Sequence, residues 1–126
     1  MLHLIALLLL TQQPLLPIAE GVASYYTVAS TGSDLTASGE LLKDDAYTCA
    51  MRKGELGSYM LVVAENGSSV VCRLNDRGPY VKKRIIDLSE AAMRRLDTRA
   101  GTLKVRVYSL GKDLPDQLAQ LVPSDG

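Results

Sequence analysis

The stretch NDRGPY at residues 75–80, followed by RIIDLS at residues 84–89, decides the fold of this chain. NDRGPY is a turn sequence, because Gly and Pro interrupt regular structure and Asn and Asp side chains hydrogen-bond to turn amides. RIIDLS is an apolar run that predicts a short strand, and its Ser89 can cap a helix that runs to Leu96. A second turn-rich motif, TASGE, lies upstream at residues 36–40.

Short apolar segments surround these two motifs. Residues 30–38 are rich in Ser, Thr and Gly and predict a loop. The dipeptide Asn66-Gly67 predicts a tight hairpin. Further strands are predicted over residues 21–29, 47–51, 59–64, 69–74 and 102–110, the last with Leu103, Val105 and Val107 facing inward. Many short strands with one helix favour a small closed barrel over an open sheet.

The bulk composition limits the possible partners. The chain has 126 residues, enough for one compact domain, and 14 basic residues balance 14 acidic ones. Without a net positive charge, the composition gives no reason to expect a nucleic acid or an anionic membrane as partner.

The N-terminus resembles a secretory leader. The run LIALLLL at residues 4–10 has the length of a signal-peptide core and is too short to span a bilayer. We therefore predict a signal peptide over residues 1–19, an exported protein, a barrel domain over residues 20–111 and a loose tail over residues 112–126. A misassigned start or a retained N-terminal anchor is the alternative. No cysteine lies near the end of the leader, so no lipid anchor is expected.

Together, TASGE and NDRGPY resemble the RlpA-like double-psi β-barrel family, whose best known members are septal peptidoglycan lytic transglycosylases. The resemblance extends over residues 21–110. It implies a mainly β protein with a small six-stranded double-psi β-barrel and one or two short helices, exported to the periplasm, cell envelope or exterior. It also implies a monomer that acts on peptidoglycan glycan strands without a metal or other cofactor.

The resemblance assigns Glu40 as the catalytic acid and places Asp76 opposite it across a groove. It further implies a substrate-binding set consisting of Thr36, Ser38, Asn75, Arg77 and Tyr80. A lytic transglycosylase needs one carboxylic acid, because the C6 hydroxyl of the sugar is the nucleophile and the product is a 1,6-anhydro sugar. For this role Glu40 should be protonated at the start, and a partly desolvated site would raise its pKa.

Other interpretations of these acids remain open. Asp76 and Arg77 could instead build a hydrogen-bonded turn. Asp87 ends an apolar strand close to a helix start, which favours a structural role. Arg77 and Arg84 could bind substrate or pair with these acids.

The chain departs from the family pattern at two positions. The family has an aspartate three places after the glutamate and a histidine eleven places after it, where this chain has Lys43 and Met51. A thioether cannot transfer protons, and the one histidine, His3, lies in the predicted leader. Asp44 or Asp45 could replace the missing aspartate after a small loop shift.

Two cysteines, Cys49 and Cys72, fall in predicted strands. In an exported protein such a pair predicts a disulfide. The alternative is two reduced thiols packed as small apolar groups.

Two other functions fit the same sequence. One is a non-catalytic barrel that binds glycans or loosens the wall, as expansins do. The other is a barrel used for protein interaction or inhibition.

Overall fold

The computed structural model describes residues 16–114. Six strands and two short helices lie within them. In chain order they are β1 (Ala19–Tyr26), α1 (Val28–Thr31), β2 (Thr48–Ala50), β3 (Tyr59–Ala64), β4 (Ser69–Asp76), β5 (Arg84–Ser89), α2 (Glu90–Leu96) and β6 (Leu103–Gly111).

The strands close into a barrel in the order β1-β5-β2-β4-β3-β6. β1 and β5 run parallel, as do β2 and β4. All other neighbouring strands are antiparallel. The prediction of a small, closed, six-stranded β-barrel with one or two short helices is therefore confirmed.

Side-chain alternation along the strands builds the core. On β6, Val105 and Val107 are buried, whereas Lys104 and Arg106 are exposed. On β3 the buried side chains are those of Met60, Val62 and Ala64. This inward set forms one apolar cluster, as the period-two pattern of the sequence predicts.

The predicted hairpin and helix cap both form. Gly67 takes a φ of +89° in the turn between β3 and β4, and the Asn66 side chain accepts a hydrogen bond from the Ser68 amide at 2.9 Å. Ser89 caps α2 by accepting a hydrogen bond from the Ala92 amide at 3.2 Å.

The first predicted strand is too long. β1 ends at Tyr26, where the prediction runs to residue 29. Thr27 and Ser30 form a reciprocal capping box, in which each side chain accepts a hydrogen bond from the other residue's amide. These polar contacts begin α1 at this point. The apolar pattern alone lacks this signal and therefore predicts a strand that is too long.

The barrel begins close to the predicted processing site. The Ile18 amide donates a hydrogen bond to the Val107 carbonyl at 2.7 Å, and Ala19 pairs with Val107. Cleavage after Ala19, which stays a prediction, would remove the first residue of β1. Residues 1–15 of the predicted leader and a helical turn predicted near residues 117–121 lie outside the described residues. Within residues 16–114, no helix is both long and apolar enough to cross a membrane.

The two cysteines are free and buried, in place of the predicted disulfide. Cys49 on β2 is in register with Leu74 on β4, so Cys72 lies diagonally across from it. Both thiols belong to the apolar cluster. Burial raises the pKa of the Cys49 thiol, and its hydrogen bond with Cys72 raises it further. The pair therefore packs as small apolar side chains, which was the alternative interpretation.

Candidate functional site

The TASGE motif is a tight turn that presents Glu40. The Gly39 amide donates a hydrogen bond to the Thr36 carbonyl at 2.9 Å, and Gly39 has a φ of +86°. The Thr36 amide and hydroxyl both donate to the Glu40 carbonyl at 3.0 Å. The Thr36 and Ser38 hydroxyls are 2.9 Å apart. The Thr36 hydroxyl, which was predicted to bind substrate, is thus engaged inside the turn.

The end of β4 holds this turn in place, which brings the two motifs together. The Ser38 amide donates to the Asn75 carbonyl at 3.1 Å. The Asp76 carboxylate accepts from the Ala37 amide and the Arg77 amide, each at 2.9 Å. Asp76 therefore makes the contacts of the hydrogen-bonded turn, the alternative that the sequence left open.

Glu40 is paired with Arg73, a residue that the sequence analysis missed. The two guanidinium nitrogens reach the two carboxylate oxygens, with Nη2 and Oε2 at 2.6 Å and Nη1 on Oε1. The Ser38 hydroxyl also donates to Oε1 at 3.0 Å. The signal in the sequence is a cation between the buried Cys72 and Leu74, where only a partner or function justifies a charge.

This ion pair favours the ionised form of Glu40. The Arg73 guanidinium holds the pKa of Glu40 below its usual value, partial burial opposes this, and the Ser38 hydroxyl lowers the pKa further. The Glu40 side chain remains 41% exposed. The expectation of a desolvated Glu40 with a raised pKa is therefore wrong, because a bidentate cation outweighs the partial burial.

A groove of about 260 Å³ lies beside this pair. We call it the Glu40 groove, and its lining consists of Glu40, Leu41, Lys43, Ala46, Thr48, Arg73 and Asn75. Thr48 is fixed by a 2.8 Å hydrogen bond to the Tyr26 hydroxyl.

Both positions that depart from the family pattern can now be located. Lys43 lines the Glu40 groove, so a cation stands where the family has an aspartate. Met51 lies in the apolar core cluster and not in the groove lining. Asp44 accepts a 2.8 Å hydrogen bond from the Val28 amide at the start of α1, so its carboxylate has a structural contact. The suggested rescue by Asp44 is thus not supported.

The pKa of Asp87 is shifted in the opposite direction from that of Glu40. Its Oδ1 accepts a hydrogen bond from the Ser24 hydroxyl at 3.1 Å. Burial raises the pKa of Asp87, the Ser24 hydroxyl and Arg84 oppose the rise, and Asp76 adds to it. The isoleucines before Asp87 and the buried leucine after it are the sequence signal for such desolvation.

Strand register relates Asp87 to Arg73 through β2. Asp87 is opposite Ala50 on β2, and Arg73 is opposite Thr48 on the same strand. Thr48 and Ala50 are about 7 Å apart along β2. Asp87 on β5 and Arg73 on β4 therefore flank β2 on opposite sides, two residues apart along it.

The remaining predicted substrate-binding residues lie elsewhere. Arg77 donates to the Gly54 carbonyl at 2.8 Å and to the Met51 carbonyl at 3.4 Å, so it fastens a neighbouring turn. It does not make the ion pair that the sequence analysis considered. Tyr80 is 77% exposed and does not line the Glu40 groove. Among residues 16–114, no group of three His, Cys, Asp or Glu side chains is arranged to hold a metal ion.

Comparison with known proteins agrees with this geometry. A family model described as lytic transglycolase matches residues 18–107. The chain is 46% identical over 97 residues to the endolytic peptidoglycan transglycosylase RlpA of Pasteurella multocida. It is 43% identical over 93 residues to the probable endolytic peptidoglycan transglycosylase RlpA of Treponema pallidum. These alignments cover 74% and 72% of this chain, but 33% and 29% of the relatives.

Two solved structures share the fold. An expansin of Clavibacter michiganensis superposes with a TM-score of 0.59 at 21% identity, covering 76% of this chain and 52% of the expansin. The Streptomyces papain inhibitor superposes with a TM-score of 0.55 at 19% identity, covering 76% of this chain and 98% of the inhibitor. At such low identity the likeness concerns the fold alone.

A closed barrel that holds TASGE against NDRGPY defines a double-psi β-barrel with a glutamate-bearing groove. This chain belongs to the RlpA-like double-psi β-barrel family. It spans about a third of the length of the curated relatives that it matches.

Proposed function

We propose that this protein is an exported lytic transglycosylase. It cleaves the bond between N-acetylmuramic acid and N-acetylglucosamine in peptidoglycan strands and leaves a 1,6-anhydro end. The observation that carries the proposal is the Glu40 carboxylate, which Arg73 and Ser38 hold at the edge of a groove. The similarity to peptidoglycan transglycosylases over the same residues supports it. Because peptidoglycan lies outside the cytoplasm, the protein works there, as a monomer.

The electrostatics favour a division of labour between two carboxyl groups. Glu40 is ionised beside Arg73, so it acts as the base that takes the proton of the C6 hydroxyl. Asp87, whose pKa is raised by burial, acts as the acid that protonates the leaving glycosidic oxygen. The new bond joins O6 to C1 as the bond from C1 to the leaving oxygen breaks. Glu40 ends protonated and Asp87 ionised, and exchange with solvent restores both.

This assignment revises the single-acid mechanism that the sequence suggested. It also accounts for a chain that lacks the family's histidine and aspartate near the groove, since neither proton transfer passes through positions 43 or 51. Arg73 keeps Glu40 ionised and is a positioning residue.

Product analysis tests the proposal. The protein would be incubated with glycan strands stripped of stem peptides, and mass spectrometry would measure new 1,6-anhydro ends. We expect wild type to release them and both Glu40→Gln and Asp87→Asn to lose at least about a hundredfold in rate. Glu20→Gln is the matched control, because Glu20 is 60% exposed and belongs to a different ion pair. An Asp87→Asn variant with wild-type rate would refute the assignment of the acid.

A non-catalytic glycan-binding barrel is the second candidate. Lys43, which lines the groove where the family has an aspartate, favours it, because a cation suits binding better than proton transfer. Strand binding without any new anhydro ends, in wild type as in Glu40→Gln, would support this candidate over the enzyme.

A further inference from the structure

One buried polar atom at the Glu40 groove has no partner within the described part of the chain. Asn75 is 2% exposed, and its Oδ1 is the one buried side-chain nitrogen or oxygen of residues 16–114 that makes no hydrogen bond. Other buried polar side chains there are satisfied, such as Ser24 on Asp87 and Thr48 on Tyr26. An unpaired buried acceptor is unfavourable, and native proteins rarely keep one without a use.

Asn75 lines the groove, and its position is fixed. Its carbonyl accepts the hydrogen bond of the Ser38 amide, and it lies two residues after Arg73 on β4. The backbone therefore positions the TASGE turn, and Asn75 is one of the residues that line the groove.

We infer that the Asn75 carboxamide recognises the 2-acetamido group of the sugar ring bound in the Glu40 groove, with Oδ1 accepting a hydrogen bond from the acetamido N–H. The inference rests on the proposed action on peptidoglycan glycans. The acetamido group is then the part of the glycan that the groove recognises.

The rest of the groove matches the other parts of an acetamido group. Leu41, which is 60% exposed, and Ala46 provide apolar surface for the acetyl methyl. Lys43 brings a donor for the acetyl carbonyl. A ring hydroxyl could also donate to Asn75, but it would leave this apolar surface uncovered. An acceptor, a donor and an apolar patch together therefore favour the acetamido group.

The consequence is selectivity for the N–H. A site with a buried acceptor discriminates against an analogue that cannot donate to it, because the acceptor then stays unpaired. The expected loss of affinity is roughly 5- to 150-fold for one such hydrogen bond.

A binding experiment tests this directly. Calorimetry would compare an N-acetylglucosamine tetramer with its analogue in which ester oxygens replace the acetamido N–H groups. The tetramer lacks the bond that the enzyme cuts, so binding is measured without turnover. We expect wild type to bind the ester analogue roughly 5- to 150-fold more weakly. Asn75→Leu should bind both equally, with an unchanged or higher Tm, because it removes an unpaired acceptor at nearly constant volume. Asn75→Val makes the same comparison if Asn75→Leu fails to fold.

The outcomes separate this inference from the proposed function. Equal binding of the two oligomers by wild type, or discrimination that persists in Asn75→Leu, overturns the inference even if anhydro ends form. Discrimination that disappears in Asn75→Leu supports it even if no strand is cut. Failure of wild type to bind either oligomer overturns it as well.

Discussion

The Glu40–Arg73 ion pair leads to a quantitative prediction about stability. The pair is bidentate, and the side chains are 41% and 21% exposed, so it is neither fully solvated nor fully buried. Charge-assisted hydrogen bonds contribute about 1.5–3 kcal/mol when protected, and exposed ion pairs contribute about 0.2–1 kcal/mol. For this intermediate geometry we expect a coupling free energy of about 1 kcal/mol. Losing it lowers the Tm of a domain of this size by roughly 4–8 °C.

A double-mutant cycle isolates this coupling. Urea denaturation would give the free energy of unfolding of wild type, Glu40→Gln, Arg73→Met and the double variant, and the cycle subtracts the other contacts of Arg73. The control is the pair Glu20–Arg106, whose Nε and Oε1 are 3.7 Å apart with both side chains at least 60% exposed. Its coupling should be below about 0.3 kcal/mol.

The pH dependence of the free energy of unfolding shows whether the ion pair stabilises the fold. Because the folded pKa of Glu40 lies below its unfolded value, the pair contributes stability above the unfolded pKa. That contribution disappears as the pH falls through the lowered folded pKa. A coupling no larger than the control, or one that survives in strong acid, would refute the reasoning about Glu40.

Further measurements check the other features of the site and core. Because only a protonated Asp87 can act as the acid, the rate of strand cleavage should fall as the pH rises through its raised pKa, and a rate that climbs into the alkaline range would contradict this role. Gly39→Ala should cost about 1–2 kcal/mol in thermal melts, because Gly39 has a φ of +86°. Gly101→Ala, at a position with open space and no left-handed backbone, is its control and should be nearly neutral. Cys49 and Cys72 should resist alkylation in the native protein and both react after denaturation without reductant, whereas a disulfide would leave neither reactive.

Much of the barrel could be predicted from the sequence because its signals are local. β3 has the predicted bounds, and the Asn66-Gly67 turn and the Ser89 cap depend on residues a few positions apart. β1 was extended too far because the capping box of Thr27 and Ser30 is a polar signal inside a β-prone segment.

The chemistry of the site was harder to predict because it depends on partners distant in sequence. The pKa of Glu40 follows from Arg73, which is 33 residues away, and no local pattern reports that pairing. The pKa of Asp87 depends on burial between β1 and β2, which only the register reveals. Likewise the two cysteines were correctly placed in strands, but whether they form a disulfide depends on details of side-chain position.

The main chain and the side chain of Asn75 have separate roles. Its main chain anchors the TASGE turn, and the 3.1 Å bond from the Ser38 amide would persist whatever side chain the position carried. The position could therefore be diversified to retune sugar preference while the scaffold beneath it stays intact. A change of one codon would be enough for such a shift in preference.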